Sequence, residues 1–299
     1  MQFYPLLKSV SRSFYLSIRF LPKSLRVPVG VAYLLARATD TVADSATHSL
    51  QKRVEQLKMM ESAILGQLSG DAYQALMIEL ASVGAVQSHE GEAHLLQEFD
   101  SCMAIFHDCE EAERTLIREV LHTIITGQIW DLEYFEQCSS VQTNEELELY
   151  TYRVAGCVGE FWTKLSRLKL GDKFSVAPDK LLLDWGRHYG MALQLVNILR
   201  DRSEDEEKGR CYIPKTDKDW FAQAISWFDE ADLYSDSLID RRLRFATTLP
   251  AQLGRRTLEA MLNSHEPNTK IKITKKTVYS EMVKAIVMSF RWPQCDRVR

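Results

Sequence analysis

Glycine and proline are scarce in this 299-residue chain, at thirteen and eight residues. That scarcity argues against collagen-like, low-complexity and loop-rich β organisation. A surplus of one charge is also lacking: 37 Lys and Arg against 41 Asp and Glu leave a formal net charge of −4. Such a balance gives no electrostatic case for binding nucleic acid. No stretch approaches the roughly 18 uncharged apolar residues of a membrane span. The opening Met-Gln-Phe-Tyr-Pro lacks the charged and apolar regions of a secretory leader. Six cysteines, Cys102, Cys109, Cys138, Cys157, Cys211 and Cys295, form no CxxC pair. They read as free thiols of a reducing compartment, and a cytoplasmic location is expected.

What remains is globular in kind, with 45% hydrophobic and 26% charged residues and enough length to bury a sizeable core. The apolar periodicity is helical. Ile117, Leu121, Ile124, Ile125, Leu132 and Phe135 recur at three- and four-residue steps, and Val278, Met282, Ile286 and Phe290 at four-residue steps. Similar stripes run through 25–45, 49–68, 93–107, 145–170 and 180–207. Breakers fall between them at Pro22, Pro28, Gly70-Asp71, Gly91, Gly171-Asp172, Pro178, Pro214, Pro250 and Pro267-Asn268. Alternation is confined to Lys270-Ile271-Lys272-Ile273, and no repeat or long linker divides the chain. The expectation is one all-α domain over 1–299, with ten or more helices.

Two segments carry chemistry. In Ala32–Asp44, Asp40 and Asp44 lie one helical turn apart, about 6 Å along the axis, with Arg37 a turn earlier. Alone, such a pair also reads as a solvated face with a surface Arg37–Asp40 pair. In Gln194–Asp205, Asn197, Asp201 and Asp205 make a second stripe of oxygen ligands, with Leu195, Val196 and Leu199 expected on the buried face. Gln194 and Asn197 interrupt an apolar run, where an unpaired amide is costly. Unneutralised carboxylates invite a cation, and oxygen-only donors on rigid helices suit Mg²⁺, which takes one or two carboxylates plus substrate phosphates. Arg12, Arg37, Arg200 and Arg210 are available for the remaining phosphate charge.

Taken in order, the motifs resemble the squalene/phytoene synthase family of head-to-head prenyl diphosphate synthases. They are Ser11-Arg12-Ser13-Phe14, Arg37 through Asp44, Gly127 with Asp131, Tyr150 before Val154-Ala155-Gly156-Cys157-Val158-Gly159, Gln194 through Asp205, and Gly209-Arg210. The resemblance implies an all-α prenyl synthase fold with helices around a central cavity. It assigns Mg²⁺ to Asp40, Asp44, Asn197, Asp201 and Asp205. It places Arg12, Ser13, Tyr33, Arg37, Gln194 and Arg200 at substrate or diphosphate, and implies that Tyr150 assists diphosphate loss or proton transfer. Two farnesyl diphosphates would join through presqualene diphosphate, with NADPH reducing the product to squalene. Omitting the hydride would leave dehydrosqualene, phytoene or presqualene diphosphate.

Arg37-Ala38-Thr39-Asp40-Thr41-Val42 is closer to squalene synthases, which carry Asp-Thr-Val-Glu-Asp, although Ala43 stands here in place of that Glu. No Rossmann-type GxGxxG is present, so NADPH would bind otherwise. The small run Val154–Gly159 reads as close helix packing or as a wall for an isoprenoid tail. Tyr150 and Tyr152 cannot point the same way on a helix, and Asp131 reads equally as a supporting or a surface carboxylate. His89, His94, His107 and His188 lack partners at metal-like spacing. Lys270, Lys272, Lys275 and Lys276 form a solvated run that could touch an anionic membrane, so peripheral contact for product release is an expectation. Outside this class, a prenyl diphosphate phosphatase and an inactive helical binding protein are the alternatives.

Overall fold

The structure is a computed structural model and describes residues 3–11, 14–45, 48–264 and 273–293. These fold into fifteen α-helices, one π-helical stretch and one 3-10 turn. Among the described residues there is no strand, only isolated bridge pairings of Ser140 with Cys211 and Ser175 with Leu238. The all-α expectation is met. None of these helices is long and apolar enough to cross a membrane. The alternating segment at 270–272, the Pro267-Asn268 breaker and Cys295 lie outside the described residues; the other five cysteines are free thiols.

The chain divides into two compact units. Lys23–Tyr134, with the residues before Phe20, forms the first; Phe20–Pro22 and the chain from Phe135 onward form the second. In the first unit, α1 (Phe3–Ser11), α2 (Phe14–Phe20) and α3 (Lys23–Ala43) are followed by α4 (Leu50–Ile64), α5 (Gly70–Ala85), α6 (Glu90–Gln97), α7 (Phe99–Asp108) and α8 (Glu111–Gln137). Its core centres on α3, whose Leu34, Leu35 and Ala38 are fully buried, together with Leu57, Met60, Phe99 and Phe106. α3 packs most extensively on α7 and α4.

The second unit holds α9 (Asn144–Thr151), a π-helical turn (Tyr152–Gly156), α10 (Cys157–Leu170), α11 (Asp179–Arg200), α12 (Arg202–Glu207), α13 (Trp220–Ser237), α14 (Arg241–Leu262) and α15 (Lys275–Ser289). Short polar caps fix the starts. Thr143 and Glu146 form a reciprocal capping box on α9, while Asp219 and Asp240 accept from the first backbone N–H groups of α13 and α14. α11 is the hub, packed against α10, α13 and α14.

Helix boundaries differ from the breaker reading in several places. Gly70-Asp71 falls as read at the boundary between α4 and α5, opening the latter, whereas Pro28 and Pro250 lie inside α3 and α14. An internal proline costs about 3 kcal/mol through its missing N–H and its clash with the preceding turn. Tertiary burial offsets that in α14, which buries Leu243, Phe245, Ala246, Leu249, Ala251 and Leu258. Tyr189 of α11 also donates its hydroxyl to the Thr247 carbonyl in the turn before Pro250. Where one stripe was read over 180–207, the chain changes helix at Asp201, which closes α11 and opens α12.

The run Val154–Gly159 is resolved in favour of close packing. A Cβ on Gly159 would sit 1.7 Å from the Gly186 carbonyl oxygen, and one on Gly190 would sit 2.1 Å from that of Ala155. The π turn and α10 thus cross α11 at backbone contact, and neither partner is a side chain able to move aside. Overpacking a core costs about 1–3 kcal/mol or more. Gly159→Ala is therefore expected to lower stability by at least about 2 kcal/mol, a fall in melting temperature of roughly 4 °C or more. Calorimetry checks this; an unchanged melting point would mean that the crossing is looser than described.

Candidate active site

α3 carries the first stripe. The Asp44 N–H donates to the Asp40 carbonyl at 2.9 Å, so the two carboxylates do stand one turn apart even though Asp44 lies just past the helix end. Asp44 is exposed, and 40% of the Asp40 side chain is open to solvent, so both are within reach of a hydrated cation. Arg37 pairs with Asp40 and, from its other amino group, with Glu92 of α6. Its Nε is buried without an acceptor among the described residues. Desolvation of its carboxyl first, and the Asp44 carboxylate second, push Asp40 upward from the ordinary 3.8 to about 7, against the pull of Arg37.

Tyr33, half-buried on α3, donates its hydroxyl to the Val10 carbonyl at 3.0 Å and so tethers the end of α1. The next motif residues, Arg12 and Ser13, lie outside the described residues. Asp131, read as either supporting or surface, is buried on α8 beside Gly127 and Gln128.

The second stripe spans the junction of α11 and α12. Asp201 N–H donates to Asn197 at 2.9 Å and Asp205 N–H donates to Asp201 at 3.0 Å, so one-turn spacing continues through the change of helix. Leu195, Val196 and Ile198 form the buried side, whereas Leu199 is only half-buried. Asn197 is exposed, which corrects the view of its amide as a costly polar group in a core. Gln194, one turn before Ile198, is half-buried.

Arg200 grips Asp201 with two donors, Nε at 2.9 Å from Oδ1 and Nη2 on Oδ2. After α12 the chain turns at Gly209, whose φ of 77° belongs to the left-handed region that favours glycine. Gly209 N–H bonds back to Glu206 and Arg210 N–H to Asp205, a Schellman closure. That turn fixes Arg210, whose guanidinium lies 5.9 Å from the Phe135 ring centre.

Tyr150, at the end of α9, is buried and stacks on Tyr212 with ring centres 5.1 Å apart at 17°. Tyr212 meets Phe135 edge-on at 5.0 Å. Tyr150 therefore sits in an aromatic cluster bordered by Arg210. Tyr152 points elsewhere, donating to Glu160 at 3.5 Å beneath Arg187. Burial, then Glu160, raises the Tyr152 hydroxyl pKa. Two participants had no sequence signal tying them to the motifs: Glu92, 55 positions from Arg37, and Tyr212. His188, expected to lack metal partners, bonds Glu230 at 2.7 Å and stacks on Trp227.

Among the described residues no group of three or more His, Cys, Asp and Glu is gathered as a metal cage. The donor chemistry nevertheless fits a hard dication that completes its shell with substrate phosphates. Every donor is an oxygen, each stripe holds two carboxylates, and Asp40 is held above its ordinary pKa by desolvation and by a like charge that a cation would offset.

Residues 7–221 match the family described as Squalene/phytoene synthase. A bifunctional lycopene cyclase/phytoene synthase from Blakeslea trispora is 29% identical over 71% of this chain and 32% of its own length. A squalene synthase from Eremothecium gossypii is 29% identical over 77% of this chain and 49% of its own. The chain thus spans half or less of the length of these curated relatives. A ligand complex of TcSQS superposes with a TM-score of 0.74 at 23% identity, covering 96% of this chain and 87% of the other. The fold is therefore that of the squalene synthases.

The raised Asp40 carboxyl has a measurable consequence. Between its ordinary value of 3.8 and about 7, the folded chain holds a proton that the unfolded chain has released. Stability attributable to this group therefore falls as pH rises through that window, and the whole cost is present above it. Asp40→Asn removes the cost. In Mg²⁺-free buffer at pH 8 the variant is expected to melt at or above the parent, with the gap closing towards pH 4. Thermal scans by circular dichroism test this; a variant less stable than the parent at pH 8 would show that the Arg37 pairing outweighs the repulsion.

Proposed function

Because the chain belongs to the squalene/phytoene synthase family, we propose that it joins two farnesyl diphosphates head to head, through presqualene diphosphate, and reduces the product to squalene with NADPH. One observation carries the reading. Each stripe pairs an aspartate with an arginine that can turn to a phosphate oxygen, Asp40 with Arg37 and Asp201 with Arg200.

Asp40, Asp44, Asn197, Asp201 and Asp205 would hold Mg²⁺, which when bound neutralises the diphosphate and eases its departure as an anion. Arg37, Arg200 and Arg210, with Arg12 and Ser13, take oxygens of the leaving diphosphate through charge-assisted hydrogen bonds. Tyr33 and Gln194 position the substrate. Breaking the allylic C–O bond leaves a cation that bulk water would quench, so the bound chain needs dry surroundings. A double bond of the second chain attacks that cation, and proton loss closes the cyclopropane ring. Tyr150, buried with its ring stacked on Tyr212, is assigned the handling of the departing proton or diphosphate. Loss of the second diphosphate opens the ring to the 1′-1 linkage, and hydride from NADPH quenches the final cation.

A reduction-free outcome is the second reading. It would release presqualene diphosphate, or lose a proton in place of gaining hydride to give dehydrosqualene or phytoene. It is favoured by the phytoene synthase relative, which matches at the same 29% identity as the squalene synthase. The proximity of Arg37-Ala38-Thr39-Asp40-Thr41-Val42 to the squalene synthase pattern supports the first.

Product analysis by gas chromatography–mass spectrometry decides between them. The chain is incubated with farnesyl diphosphate and Mg²⁺, with and without NADPH, and a portion is treated with phosphatase. Squalene that requires NADPH is expected. Dehydrosqualene or presqualene alcohol would move the activity to the second reading, and farnesol alone would point to a phosphatase. Failure with both farnesyl and geranylgeranyl diphosphate would leave a binding protein.

Asp40→Ala and Asp201→Ala are each expected to lower turnover by at least ~10³-fold with helical circular dichroism unchanged. Retention of activity by either would refute its assignment. Tyr150→Phe should slow turnover by about 10²-fold without altering the Mg²⁺ dependence; parental rates would leave Tyr150 a packing residue.

A further inference from the structure

α15 is amphipathic with its apolar side facing out. Its inner side is held by Ala285, fully buried against Phe245 and Leu249 of α14, and by Glu281, a buried carboxylate bonded to Arg256 at 2.9 Å and Lys284 at 2.8 Å. The opposite side presents Tyr279, Val283, Ile286, Val287 and Phe290 at helical spacing, with Trp292 just beyond. Val287 is 60% exposed, Phe290 62% and Trp292 89%. Such a row of aliphatic and aromatic side chains in water is costly unless something covers it.

Charge identifies the cover. Lys275 and Lys276 flank one end of the face and Arg291 and Arg241 the other, Arg241 resting 4.8 Å over the Phe290 ring. Glu281, the helix's one carboxylate, is buried and paired. On a chain of net charge −4, this is a locally basic, apolar strip with tyrosine and tryptophan at its ends. A helix that lies in a membrane interface has that composition. A second copy fits poorly, because two-fold pairing of antiparallel α15 faces brings the Lys275–Lys276 end against the Arg241–Arg291 end of the copy, like charge on like. At fifteen residues, and anchored on its inner side to α14, the helix would lie on a bilayer and not cross it.

We propose that the outer face of α15 is a docking surface for an anionic phospholipid bilayer. The inference stands on α14 and α15 and does not depend on the catalytic reading.

The test is co-sedimentation of the full chain with vesicles of phosphatidylcholine alone or mixed with phosphatidylglycerol. Binding to the anionic vesicles is expected, weakened by salt, with a blue shift of tryptophan emission that Trp292→Phe removes. Val287→Glu, whose site points away from the core, should weaken binding at least about tenfold while the melting point holds. Lys275→Gln with Lys276→Gln should weaken it about tenfold at low salt. Absence of binding to either vesicle, or binding unaffected by Val287→Glu, overturns the proposal. Sedimentation equilibrium showing a dimer that Val287→Glu dissociates, with no vesicle binding, would assign the face to a second copy instead.

Discussion

Carboxylates one helical turn apart repel, and backbone hydrogen bonds at the helix ends hold Asp44 to the Asp40 carbonyl and Asp205 to that of Asp201. At Asp40 the cost shows as a carboxyl displaced upward by desolvation and by Asp44, with Arg37 offsetting only part of it. Arg37 is itself shared with Glu92, so its charge is divided between two acids. The second stripe meets the same constraint with Arg200 clasping Asp201. In each case stiffness keeps the charges together and an arginine holds them until a better counter-charge arrives. In the proposed function a dication held by Asp40, Asp44, Asn197, Asp201 and Asp205 would supply one, and the arginines would then turn to phosphate oxygens. The local electrostatics and the proposed chemistry therefore have one origin.

Packing in the second unit keeps its stripe in place. Glycines at 156, 159, 186 and 190 let the π turn and α10 cross α11 at backbone distance, so α11 enters the Asn197–Asp205 segment from a rigidly held base. Tyr150 follows from the same region, because α9 ends at the π turn and delivers the ring onto Tyr212. At the far end of the stripe, the glycine closure at Gly209 sets Arg210 beside Phe135. The small and aromatic residues thus serve first as architecture, and the chemistry is carried by the few polar groups they position.

How much of this could be read without coordinates divides along a physical line. Spacing within one element was legible: the one-turn relations of Asp40 with Asp44 and of Asn197, Asp201 and Asp205 reappear as backbone hydrogen bonds, and helical periodicity revealed the all-α class. Relations between elements were not legible, because periodicity says which side of a helix is apolar and not what meets it. Glu92 beneath Arg37, Tyr212 beneath Tyr150 and Gly186 against Gly159 belong to that kind. Pro250 was misread for a related reason, since the local cost of proline is overridden by tertiary burial of α14. Asn197 was misread because an amide among leucines looked buried when its side of the helix faces solvent.

Each aspartate stripe is proposed to take diphosphate through Mg²⁺, and calorimetry on single variants of each stripe measures that dependence. Calorimetric titration of inorganic diphosphate in the presence of Mg²⁺ would compare the parent chain, Asp40→Asn, Asp201→Asn and the double variant. Mg²⁺-dependent binding is expected for the parent, weakened by each single change and weaker still or lost in the double variant. Binding that does not need Mg²⁺, or that neither Asp40→Asn nor Asp201→Asn weakens, would contradict the assignment of these carboxylates.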